Sequence, residues 1–244
     1  MISYQNTAKE IREKKPTVAI LPIGSTEQHG AHLPTSTDTV ISTRIAEEVA
    51  KRMDAYLLPT LPFSTCREHD GKMGSFSLKS QTLYYVIEDI FEAAKRQGIK
   101  TLIIMLGHGG IFISNPVVRE LNANNSDMQV IKVDLVQFFT SNELNDILEC
   151  KNNLHACEYE TSLMYEFDGE HVHPEEIVDC VPDVPRDYLN YAPIFRYSPS
   201  GVWGMPSLAS KEKGEKIFEV MVQKSIDYIN DVLKINKERD FYHE

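Results

Sequence analysis

Thr101-Leu102-Ile103-Ile104-Met105-Leu106, followed at once by Gly107-His108-Gly109-Gly110, decides how the rest of the chain is read. The run is apolar without alternation, as a central parallel strand buried on both faces requires. Just upstream, a helical pattern from about 81 to 97 stops at Gly98, a residue suited to a helix C-terminus. Downstream, a helix past Pro116 leads to a further strand, Gln129 to Val133. Farther upstream lie a short helix at 6–15 ended by Pro16, an apolar strand from Thr17 to Ile23, a helix at 39–53, and a strand near Tyr56-Leu57-Leu58. This alternation predicts an α/β fold, a three-layer αβα sandwich around a mainly parallel central sheet. Residues 59–80 form a loop too long for a simple connection, which points to function. A helix from about 158, an irregular Pro-, Tyr- and Gly-rich stretch at 182–206, and a final amphipathic helix at about 210–234 complete the chain. With no internal repeat or low-complexity linker, residues 1–244 are read as a single domain.

Composition narrows the partners. A hydrophobic content of 42% supplies a core, and a net charge of −11 argues against nucleic acid and anionic membrane surfaces. It leaves room for a small-molecule substrate, even an anionic one, because a bound metal can reverse the field inside one pocket. Cys66, Cys150, Cys157 and Cys180 show no CxxC pairing and are read as reduced. The N-terminus lacks the apolar segment of a secretory signal, and no run approaches a membrane span. The expectation is a soluble, cytoplasmic protein.

In such sheets ligands bind at the carboxyl ends of the strands. His108 sits at one such end. At another, the strand to Ile23 runs into Gly24-Ser25-Thr26-Glu27-Gln28-His29-Gly30-Ala31-His32-Leu33-Pro34, with Asp38 opening the next helical run. Glu27 and His29, two apart, point the same way in an extended segment. A carboxylate at a helix start is kept ionised by the helix dipole, which suits a bridging ligand. Imidazole with two carboxylates fits Zn²⁺ or Mn²⁺ better than Ca²⁺. The alternatives are a polar turn in which Asp38 is only a helix cap, and an ordinary loop histidine at 108.

Four stretches together resemble the creatininase (creatinine amidohydrolase) family: the Gly24–Asp38 loop, Gly107–Gly110, His155-Ala-Cys-Glu-Tyr-Glu-Thr-Ser162, and Ser200-Gly-Val-Trp-Gly-Met-Pro206. A fifth, weaker match is Glu68-His69 followed by Gly74-Ser-Phe-Ser-Leu78. The resemblance implies an αβα fold, a site for two divalent metal ions, Zn and/or Mn, and hydrolysis of C–N bonds in cyclic or formylated amides. It implies Glu27, His29, Asp38 and His108 as ligands, with Asp38 bridging. In creatininase a Glu follows two residues after the equivalent of His108; here that position is Gly110, which argues against creatinine as substrate. Glu160 is expected to replace that ligand. The family also implies a homo-oligomer, commonly a hexamer. Leu106, Ile111, Cys157 and Met205 depart from the family's usual residues near the expected pocket and bear on the substrate.

Two ions about 3.5–4 Å apart can share a hydroxide and polarise a carbonyl. An imidazole with a pKa near neutrality can then donate a proton to the leaving nitrogen; His155 is the first candidate and His69 the second. Residues two apart on a helix are turned by about 200°, so Glu158 and Glu160 cannot both face one site. Glu158 would pair with His155 if the helix began early; otherwise it should face solvent or a neighbouring chain. His171 and His173 are read as a solvated loop. Two rival functions remain open: hydrolysis of a C–C bond in a cyclic keto-polyol, and metal binding without turnover.

Overall fold

The computed structural model describes residues 1–140 and 142–237. The elements run β1 (Ile2–Ser3), α1 (Ala8–Lys14), β2 (Val18–Ile23), α2 (Thr37–Met53), β3 (Tyr56–Leu57), α3 (Ser80–Arg96), β4 (Thr101–Leu106), α4 (Ser114–Asn124), β5 (Gln129–Asp134), α5 (Asn142–Asn145), α6 (Glu158–Asp168) and α7 (Lys211–Lys237). The five strands pair in the order β1-β3-β2-β4-β5, every pair parallel. β1 is the one strand that composition did not suggest, since two residues at an edge carry no periodicity.

Alternation along the strands fills two apolar layers. Ile20, Ile103, Met105, Ile131 and Val133 pack with Ile41, Ile45 and Val49 of α2, Leu163 of α6 and Ile217 and Met221 of α7. Ala19, Leu21, Ile23, Leu102, Ile104 and Leu106 pack on the other side with α3 and α4. All six residues of β4 are buried, which explains its unbroken apolar run. Helix limits follow local chemistry. Thr7 and Glu10 form a reciprocal capping box on α1, and α4 starts two residues before Pro116. Proline is tolerated there because its missing N–H would lack an intrahelical partner anyway. Among the described residues no helix is long and apolar enough to cross a membrane.

Candidate functional site

The carboxyl ends of β2 and β4, side by side in register from Val18↔Thr101 to Ile23↔Leu106, bring two turns together over the start of α2. Two glycines permit the approach. A Cβ on Gly24 would lie 2.5 Å from Thr39 Cα, and one on Gly107 2.7 Å from Ser42 Cβ and 2.8 Å from the Asp38 carbonyl oxygen. Asp38, in the first turn of α2 and almost fully buried, thus lies between the two loops. Its side chain is no cap. Oδ1 is 3.2 Å from His29 Nε2, and Oδ2 is 3.0 Å from His108 Nδ1 and accepts from Ser25 Oγ at 2.9 Å.

The remaining donors close around this carboxylate. Glu27 is fully buried, with Oε1 3.1 Å from His108 Nδ1, 3.3 Å from His69 Nε2 and 3.6 Å from His155 Nδ1. Those approaches lack hydrogen-bond geometry: neither Glu27 oxygen has a hydrogen-bond partner among the described residues. His29 Nδ1 donates to the Glu27 carbonyl oxygen at 3.1 Å, so Nε2 is the nitrogen turned to Asp38. Glu160, in the first turn of α6, completes a group with His29 and Asp38, while Glu27, Asp38 and His108 form a second; in each, the ligand atoms lie within 4.8 Å of one another. Asp38 belongs to both. His155 comes as close to Glu27 and His29. All five residues expected as ligands, and both histidines expected as proton donors, are therefore brought to one place.

Packing so many charges out of water perturbs them. Burial disfavours charged His29, but Asp38, Glu160 and Glu27 outweigh it and raise the ring to about 9. Burial likewise opposes charged His108, and Glu27 and Asp38 again win, raising it well above its ordinary range. Burial raises Glu160 to about 7, with Asp38 and Glu27 adding to it against the pull of His29. Protons thus stand where buried carboxylates need positive charge. The orphaned oxygens of Glu27 and this mixed N/O set suit Zn²⁺ or Mn²⁺.

His155 departs from the near-neutral pKa expected of it. Burial, then His69 and His29, push it well below its ordinary value. The rings of His69 and His29 lie 4.1 and 4.2 Å from its own, centroid to centroid, so a charge on it would crowd both rings, His29 being the one raised to about 9. His155 Nε2 is 2.7 Å from the Gln28 carbonyl oxygen and donates to it, so Nδ1 offers a lone pair to the site. Burial also lowers His69.

Glu158 does not turn to solvent. It is fully buried, accepts from the backbone N–H of Glu149 and Cys150 at 3.1 and 2.8 Å, and pairs with Lys213 of α7. Leu106 turns into the apolar layer beneath α3 and α4; Ile111 packs in that layer too but also lines a second cavity beside His108 and Gly109. Cys157 does touch the site: its thiol lies 3.9 Å from Glu160 Oε2. His171 and His173 are exposed, as a solvated loop should be.

Gln28 carries a role its position between two ligands did not reveal. Its Nε2 is 2.9 Å from His69 Nδ1 and 3.3 Å from the Gly201 carbonyl oxygen, while its Oε1 accepts from Gly30 N–H at 2.9 Å. Donation to Nδ1 leaves the His69 proton on Nε2, facing Glu27. A cavity of about 540 Å³ opens over the cluster, its wall including Glu68, Phe112, Arg186 and Tyr191. Arg186 donates to the Gly109 carbonyl oxygen at 3.0 Å.

Fold and site together define a class: an α/β protein with buried imidazoles and carboxylates gathered at the carboxyl edge of a parallel sheet. Residues 4–229 match the creatininase (creatinine amidohydrolase) family, and the chain belongs to that family of hydrolases. A creatinine amidohydrolase of Pseudomonas putida is 31% identical over 232 positions, covering 88% of this chain and 89% of that one. A 3-dehydro-scyllo-inosose hydrolase of Thermotoga maritima is 27% identical over 264 positions, covering 96% and 82%. The crystal structure of a creatinine amidohydrolase superposes with a TM-score of 0.82 at 28% identity, covering 94% of this chain and 97% of that one. Other creatininase structures are a Zn-Zn type and an Mn form.

Proposed function

We propose that the protein is a dinuclear metal-dependent hydrolase that cleaves the C–N bond of a small polar cyclic or formylated amide. The observation that carries this is the pair of donor groups sharing Asp38, one of them including a fully buried Glu27 whose oxygens have no hydrogen bond among the described residues. Glu27, Asp38 and His108 would hold one ion; His29, Asp38 and Glu160 would hold the other. Bound there, two divalent ions supply Lewis acidity for a carbonyl and lower the pKa of a water. The chain's own residues handle the proton. His155, neutral and with Nδ1 free toward the site, accepts it from the attacking water and returns it to the leaving nitrogen. His69, fixed by Gln28, turns its Nε2–H toward Glu27, 3.3 Å away.

A second reading, hydrolysis of a C–C bond in a cyclic keto-polyol, draws support from the inosose hydrolase relative, whose alignment covers 96% of this chain. Attack of water on a ring ketone would begin with the same groups. Metal analysis after reconstitution with Zn²⁺ and Mn²⁺, then turnover of cyclic and formylated amides beside cyclic ketones, tests both. About two ions per chain and release of an amine support the first reading. Ring-opened acid from a ketone alone supports the second. Metal content near zero overturns both.

A further inference from the structure

We propose that Glu68 is the positioning residue for His108, the carboxylate that receives its Nε2–H when Nδ1 takes a metal ion; this rests on the metal-site reading above. A histidine that binds metal through one nitrogen carries its proton on the other, and a fixed acceptor there sets the ring's tautomer and orientation and raises its basicity. His108 Nδ1 faces Asp38 and Glu27. Its Nε2 is buried and has no hydrogen-bond partner among the described residues. Glu68 Oε1 lies 3.4 Å away, long for a hydrogen bond but within reach of a small rotation about the side-chain torsions.

The surrounding chain keeps the carboxylate there. Glu68 stands in a 3₁₀ turn, Arg67–His69, closed by His69 N–H donating to the Cys66 carbonyl oxygen at 3.0 Å. Just before it, Thr65 Oγ1 donates to the Gly110 carbonyl oxygen at 2.9 Å in a buried contact, tying this segment to the turn that carries His108. The space itself is reserved by Gly110, since a Cβ on that residue would collide with both Glu68 Oε1 and His108 Nε2. The glycine that removes a side chain from position 110 is thus what admits a carboxylate from the 59–80 loop. This gives that long loop a task at the metal centre, and it makes Glu68 and Gly110 one device.

The test compares Glu68→Met, which keeps bulk and loses the acceptor, with Glu68→Gln, which keeps an acceptor and loses the charge. Zn²⁺ affinity is measured by chelator competition, and the His108 ring is followed by ¹⁵N NMR of the Zn²⁺-loaded protein. Glu68→Met is expected to weaken one of the two ions by about 10–100-fold, the range for losing such a partner, and to leave the other within a few fold. Glu68→Gln should fall between Met and wild type, and the His108 Nε2 resonance should shift in both. Unchanged affinities with an unchanged Nε2 resonance overturn the proposal while the metal-site reading stands. Complete loss of one ion in both variants also overturns it, because Glu68 would then be a ligand. A wild-type chain that binds no ion overturns this proposal and the reading beneath it together.

Discussion

Glu160→Gln and Glu158→Gln, two residues apart on α6, should separate metal binding from stability. Glu160 shares a donor group with His29 and Asp38, and its replacement leaves that ion two protein ligands. Taking the 10–100-fold cost of losing a ligand's supporting partner as a floor, affinity for that ion should fall by about 100-fold or more. At saturating metal a 100-fold weaker site forfeits about 2.7 kcal/mol of ligand-induced stabilisation. At roughly 2–4 °C per kcal/mol for a chain of this size, the metal-induced rise in Tm should shrink by about 5–10 °C. The metal-free variant should behave oppositely. Burial raises Glu160 from 4.5 to about 7, so at pH 8 the folded chain bears an unfavourable charge costing on the order of 3 kcal/mol. Glutamine removes that charge, and the metal-free Tm should rise. Glu158 faces α7, where Lys213 and two backbone N–H groups depend on it. Glu158→Gln should cost about 1–3 kcal/mol with or without metal and leave both ions bound. Metal analysis with calorimetric Tm at pH 8, loaded and stripped, reads all four numbers. Loss of an ion in Glu158→Gln with full metal content in Glu160→Gln would refute the assembly of the site around Asp38.

Three further outcomes are expected. His155→Ala should lower kcat by about 10²–10⁴-fold with metal content near wild type, read by steady-state kinetics beside metal analysis; unchanged turnover removes it from the mechanism. The metal-free protein should lose stability as pH rises from about 7 to 9 and the loaded protein should not, followed by thermal melts. His29, raised from 6.5 to about 9, contributes stability that is present below 6.5 and lost as pH rises to about 9, which sets this window, while the contribution of Glu160, raised from 4.5 to about 7, is already lost by about pH 7; His32, His69 and His155, held below 6.5, act in the opposite sense only at lower pH. Gly107→Ala should cost about 1–3 kcal/mol and weaken the ion on His108, because its Cβ would press on Ser42 and the Asp38 carbonyl oxygen; a wild-type Tm would show that α2 and the turn are not in close contact.

The fold was legible where burial imposes a pattern. β4 is covered on both faces and reads as an unbroken apolar run, and β5 and β2 follow from it. β1 was not legible, because pairing with β3 at the sheet edge rests on backbone hydrogen bonds that any residue can make. The long loop announced itself by length, yet its contact with Gly110 through Thr65 is a tertiary hydrogen bond with no local signature.

The candidate site was legible in residue type and incompletely in role. Helical geometry alone separates Glu158 from Glu160, since the angle between them is fixed wherever the helix begins. What covers the rejected face depends on α7, some fifty residues later, so the lysine partner of buried Glu158 could not be read from α6 itself. His155 shows the same limit more sharply. Its sequence context suggests an ordinary imidazole, and only burial, together with the crowding of rings from two distant segments, makes protonation costly. On the reading proposed above, that environment bears on the role of His155: a ring that resists a proton at rest cannot start as the acid, and a proton it took from water would be given up readily. If His155 carries the proton as proposed, the direction of its first transfer is set by packing, on a residue whose identity alone would have permitted either.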